Sequence, residues 1–168
     1  MTVKTLVDPE LEQQFELLIG TIRTIRNLRA EAEIKPQLKT PIILQSDSPQ
    51  ERQILTAGQS YIQDLGKVDA LTITPTLAEE GTKAFAGVVG TVQVLIPLTD
   101  LVDLDALSAK LEKKLSKVEG EASALMSRLN NPGFTNNAPA EVVQGAREAL
   151  AEAQKQAEIL RDRLNRLK

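Results

Sequence analysis

Two apolar stripes of the same period flank a turn-rich segment in the last third of this chain, and they constrain its fold more than any other feature. From Leu104, apolar residues recur at Leu107, Leu111, Leu115, Val118, Ala122, Leu125 and Leu129, in steps of three and four. After Asn130-Asn131-Pro132-Gly133-Phe134-Thr135-Asn136-Asn137-Ala138-Pro139, a second stripe runs through Val143, Ala146, Leu150, Ala153, Ala157, Leu160, Leu164 and Leu167. Such spacing is one helix face, and each stripe needs a facing surface. The stripes meet only if the chain doubles back as an antiparallel hairpin. A symmetric fold about the turn sets Leu125 against Ala146, Ala122 against Leu150 and Leu115 against Ala157. Toward the base it sets Leu111 against Leu160, Leu107 against Leu164 and Leu104 against Leu167. Each arm is about 27 residues, on the order of 40 Å.

The preceding residues read as a long helix and a small mixed unit. Asp8 is the expected N-cap of a helix from Pro9 to Ala32, ended by Pro36. Its apolar stripe is Leu11, Phe15, Leu18, Ile22 and Ile25. Arg23 and Arg26 read as a solvated face. Arg29 falls on the stripe itself, so it is expected to pair with Glu33 or with another part of a larger protein. Residues 41–45 and 70–74 read as strands, with a helix from Pro49 to Leu65 between them, ended at Gly66. Residues 84–89 and 91–98 form an expected hairpin about Gly90, with Pro75 and Pro97 at strand ends. The fold class is therefore α+β, mainly α. Its expected parts are 1–36, a helix; 37–100, a small α+β unit; and 101–168, a long antiparallel coiled coil.

Composition decides what chemistry remains. The chain has no Cys and no His, which excludes disulfides, thiolate sites, cysteine nucleophiles and Ser-His-Asp triads. No glycine-rich phosphate loop is present, since Gly87 and Gly90 lack a following Lys-Ser/Thr. No catalytic residue, metal ligand or resident cofactor is assigned. Glu79-Glu80 reads as loop solvation. No apolar run approaches the ~20 residues of a membrane span, and the first ten residues lack the apolar core of a signal peptide. A soluble, cytoplasmic monomer is expected.

The net charge of −3 is unevenly spread. Residues 41–102 hold three basic and seven acidic side chains, whereas residues 103–168 hold eleven and ten. Lys110, Lys113, Lys114 and Lys117 share one side of the first arm, about a quarter turn from the apolar seam. Arg161, Arg163, Arg166 and Lys168 crowd the end of the second arm, near Lys110 in the symmetric pairing. One reading is interhelical salt bridges, for example Lys113 with Glu158. The other is a basic stripe that contacts phosphates. Phe134 is either packed into the turn or presented to a partner.

The order of pieces resembles the carboxy-terminal region of the bacterial-type valyl-tRNA synthetase family. IRTIRNLRAEAEIKP, Ile22 to Pro36, is similar to the end of that family's anticodon-binding helical domain. Val92 to Val143 is similar to its arm: a leucine heptad, then Asn131 and Phe134, then Ala138, Pro139, Val142 and Val143. The resemblance implies a coiled coil that supports the outer corner of tRNA, in a class I, ATP-dependent valine–tRNA ligase. The family's two ATP-binding signatures and its editing domain are absent, so the resemblance implies the end of a longer enzyme. Implied RNA contacts are Lys110, Lys113, Lys114, Lys117, Arg128, Arg147 and Arg161, with tRNA and not DNA as partner. The alternative is a scaffold arm that docks protein, as the balanced charge of residues 103–168 allows.

Overall fold

A computed structural model describes residues 9–76, 83–99 and 101–167. The expectations for Asp8, Glu79-Glu80 and Lys168 lie outside the described residues. The chain divides into two compact units, Met1–Val102 and Asp103–Lys168.

In the first unit, α1 (Pro9–Glu31) is followed by β1 (Thr40–Gln45), α2 (Pro49–Ala57), α3 (Gln59–Gly66), β2 (Val68–Thr74), β3 (Ala84–Val89) and β4 (Val92–Pro97). The sheet order is β2-β1-β4-β3. β1 and β2 are parallel, joined by the α2–α3 crossover, while β4 runs antiparallel to both β1 and β3. The expected hairpin about Gly90 is present, and Gly90 takes a φ of 60°, which a side chain would oppose.

Alternation along β1 buries Thr40, Ile42 and Leu44, and along β4 it buries Val92, Val94 and Ile96. These side chains meet Ile22, Ile25 and Leu28 of α1, with Leu55 and Ile62 of α2 and α3, in a core that includes Phe85. Only the second half of the α1 stripe is used. Leu11 and Phe15 stay exposed, at 56% and 59%.

Two expectations are corrected. The single helix from Pro49 to Leu65 is two helices that break at Gly58. A Cβ at Gly58 would overlap the Leu18 side chain, so α1 packs where only glycine leaves room. The first helix also stops at Glu31, before Pro36 acts. Glu33 adopts a left-handed φ of 56°, and its N–H and that of Ile34 return to the carbonyls of Ala30 and Arg29.

The second unit is a helical hairpin of α4 (Leu104–Leu129), α5 (Pro132–Asn137) and α6 (Ala140–Arg166). Asp103 caps α4, accepting from the N–H groups of Asp105 and Ala106. The segment expected to be only a turn contains α5. Asn131 caps it through its side chain, which accepts from Gly133 N at 2.9 Å, and Pro132 fills the first helical position.

Candidate nucleic-acid interface

The α4–α6 pairing fixes where each charge points. Arg161 Nη2 lies 3.6 Å from Glu119 Oε2. A hollow of about 310 Å³ beside this bridge is lined by Glu119, Ala122, Ser123, Met126, Gln154, Ala157 and Arg161. Ala122 therefore stands opposite Ala157, and Glu119 opposite Arg161. Carried along the heptad period, this register sets Leu115 level with Leu164, Val118 with Leu160, Leu125 with Ala153 and Leu129 with Leu150.

The symmetric pairing is thus displaced by one heptad: Leu115 faces Leu164 rather than Ala157, and Ala122 faces Ala157 rather than Leu150. The cause is α5, which lengthens the connection. In this register the first ten residues of α6 pass the end of α4, and Val143 and Ala146 among them are buried.

This register rearranges the expected charge pairs. Glu158 is level with about residue 121, two turns from Lys113, so the suggested Lys113–Glu158 bridge does not form. Arg161 is level with residue 118 rather than with Lys110. At 100° per residue, Glu119, Ser123 and Met126 lie to one side of the α4 seam, and Lys110, Lys114 and Lys117 lie to the other. Arg161 bonds across the first side, so it is on the opposite face of the hairpin from the lysines.

Arg163, two residues on and therefore about 200° around the helix, falls on the lysine side. The signal that separates Arg161 from Arg163 is in the sequence spacing, but choosing a side requires the register. The Arg163 side chain is 11% exposed and lies 3.8 Å from Asp162. Arg166 donates to the same carboxylate at 3.1 Å.

Lys110, Lys113, Lys114 and Lys117 are all exposed on α4, with Lys113 pointing furthest from the seam. At the far end, the Arg128 guanidinium sits 5.6 Å from the centre of the Phe134 ring, and Phe134 is half-buried. Phe134 thus packs at the turn beneath a cation. Arg147 is exposed near the tip, on the side of the hollow. Of the seven residues singled out, the structure gathers only the four lysines.

The arginines of α1 do other work. Arg29 is 7% exposed and donates to Thr40 Oγ1, Lys67 O, Lys35 O and Leu38 O at 3.2, 3.3, 3.0 and 2.6 Å. Burial pushes its pKa below the usual arginine value by desolvation. It ties the α1–β1 connection to the start of β2. Arg26, expected on a solvated face, donates to Leu65 O at 3.0 Å. Among the described residues, no helix is long and apolar enough to cross a membrane.

Residues 103–168 match the family described as the valyl tRNA synthetase tRNA binding arm. Over 98% of its length the chain is 55% identical to a valine–tRNA ligase of Synechocystis sp., covering 18% of that protein. It is 48% identical over 96% of its length to the valine–tRNA ligase of Thermosynechococcus vestitus, covering 17%. For that of Nostoc sp. the figures are 41%, 96% and 25%. The chain thus spans a quarter or less of the length of these relatives. Residues 103–168 thus match the valyl tRNA synthetase tRNA binding arm family, and the chain as a whole is similar to a part of the valine–tRNA ligases.

Proposed function

We propose that this chain is the tRNA-contacting portion of a cytoplasmic valine–tRNA ligase, in which residues 103–168 brace the outer corner of tRNA. Activation of valine with ATP, and its transfer to tRNA, would belong to the remainder of such an enzyme. The observation that carries the reading is the family match over the whole second unit, on a hairpin whose one side presents Lys110, Lys113, Lys114 and Lys117. Ammonium groups at helical spacing neutralise phosphates without reading bases, which suits a corner of RNA held by shape and backbone.

The test is the affinity of the chain for tRNA as salt is raised. Four phosphate contacts give a slope of about −3 in log K against log salt. Replacing the four lysines together by Gln keeps helix propensity nearly constant and should weaken binding about tenfold, similarly for several tRNAs. Unchanged affinity at low salt would refute the lysine assignment. Salt-insensitive capture of a protein, with no tRNA binding, would instead favour a docking arm, a role compatible with the eleven basic and ten acidic side chains of residues 103–168.

A further inference from the structure

We infer that the RNA footprint on this arm ends at an acidic boundary, formed by Glu121 and Glu152 on the lysine side of the hairpin. Phosphates are admitted along the basal stretch from Lys110 to Lys117 and turned away beyond it. The inference rests on the tRNA-contact reading above and assigns that contact its limits.

The arm is electrically divided along its length. The basal segments, 103–118 and 159–167, carry seven basic and four acidic side chains. Residues 119–158, which form the outer part, carry three and six. The observed register makes this a spatial division, because residues 118 and 161 stand level.

On the lysine side, Lys110, Lys114 and Lys117 are followed one turn later by Glu121, about 6 Å along the axis. Glu152 of α6 lies on the same side, level with about residue 127, and accepts from Gln156 Nε2 at 3.1 Å. The cation beyond them, Arg128, is drawn over Phe134. The sign of the surface therefore reverses within one Debye length at physiological salt, ~8 Å. From Lys110 to Lys117 is ~10 Å, the rise of about three nucleotides of one strand. The opposite side offers no second track, since Glu112, Glu119 and Glu158 outnumber Arg161 and Arg147 there.

The test compares two charge reversals of equal size in the 168-residue chain, titrated with a transcript of a valine tRNA and with an unrelated tRNA. Glu121→Lys with Glu152→Lys converts the boundary into a continuation of the track. Glu112→Lys with Glu158→Lys makes the same change in net charge on the opposite side. All four positions are exposed, and Glu and Lys have similar helix propensity, so both variants should keep the parent's helicity.

The boundary predicts that the first variant binds about tenfold more tightly at low salt. Its salt dependence should steepen by one to two units of slope, about 0.7–0.9 for each added phosphate contact. The second variant should change both quantities far less. Equal effects from the two variants would mean that net charge alone acts, and would overturn the boundary. So would a first variant indistinguishable from the parent, provided the four-lysine variant is weakened; the RNA reading then stands and its proposed limit falls. Loss of effect in the four-lysine variant, or no binding by the parent chain at low salt, overturns the RNA reading and the boundary with it.

Discussion

The hairpin register can be tested by crosslinking, because the native chain contains no cysteine to interfere. Ala122→Cys with Ala157→Cys places two thiols across the hollow that both alanines line. Ala122→Cys with Leu150→Cys is the pairing that symmetry about the turn suggests. The two arrangements differ by seven residues on α6, about 10 Å along the axis. A disulfide tolerates a Cα separation of up to about 7 Å, so only one pair can close without rebuilding the hairpin. Closure across a loop of about 36 residues should stabilise the arm by about 4 kcal/mol through the unfolded state. For a unit of this size, that raises its melting temperature by roughly 15–30 °C. The assay is mild oxidation, a count of remaining thiols by mass, and melting followed by helical ellipticity before and after reduction. Rapid, complete closure of the Ala122–Leu150 pair, with the Ala122–Ala157 pair left reduced, would show that the register is wrong.

Three further outcomes are expected. Arg29→Met keeps the apolar stem but removes all four donated bonds; the carbonyls of Lys35 and Lys67 retain backbone donors from Leu38 and Thr40. The cost should be about 3 kcal/mol, visible in urea unfolding followed by the emission of Tyr61, the chain's one tyrosine, and a loss below 1 kcal/mol would contradict the clamp. Leu115→Asp puts a carboxylate opposite Leu164 and should melt the hairpin by several kcal/mol, roughly, while the Tyr61 signal persists; full retention of helicity would exclude this seam. The chain should support no valine-dependent pyrophosphate exchange above background, since it contains neither histidine nor a nucleotide-binding loop, and measurable exchange by pure protein would overturn that view.

Periodicity alone revealed the hairpin, both of its stripes and the side on which the lysines lie. It could not reveal the register. A slip of one heptad exchanges every stripe position for another stripe position, so Ala122 finds an apolar partner at either Leu150 or Ala157. What decides between them is α5, and its signals were legible: Asn131 as a cap and Pro132 at the first helical position. The same residues also favour turns, which is how the segment reads without its neighbours.

The break at Gly58 has a different origin. The glycine itself is a local signal, but the close approach of Leu18, forty residues upstream, is a contact that no local pattern carries. Arg29 was legible as an anomaly, a charge on an apolar stripe. Its partners were not, because four of the groups it binds belong to backbone or to Thr40 across a loop. For the candidate site, spacing alone places the four lysines along α4, whereas the side and the partner of Arg161 depended on the slip.

That degeneracy has a consequence for how the hairpin forms. Antiparallel arms zip from the connection outward, because the contacts nearest the turn close the shortest loops. A chain in which α5 has not yet formed can start zipping in the symmetric alignment, and every later step then finds leucine or alanine where one is needed. Correction requires unzipping, not a local repair. The Asn131 cap therefore acts in time as well as in space: early formation of this six-residue helix commits the arms to one alignment, and its loss should appear as a slow refolding phase before it appears as a large drop in equilibrium stability.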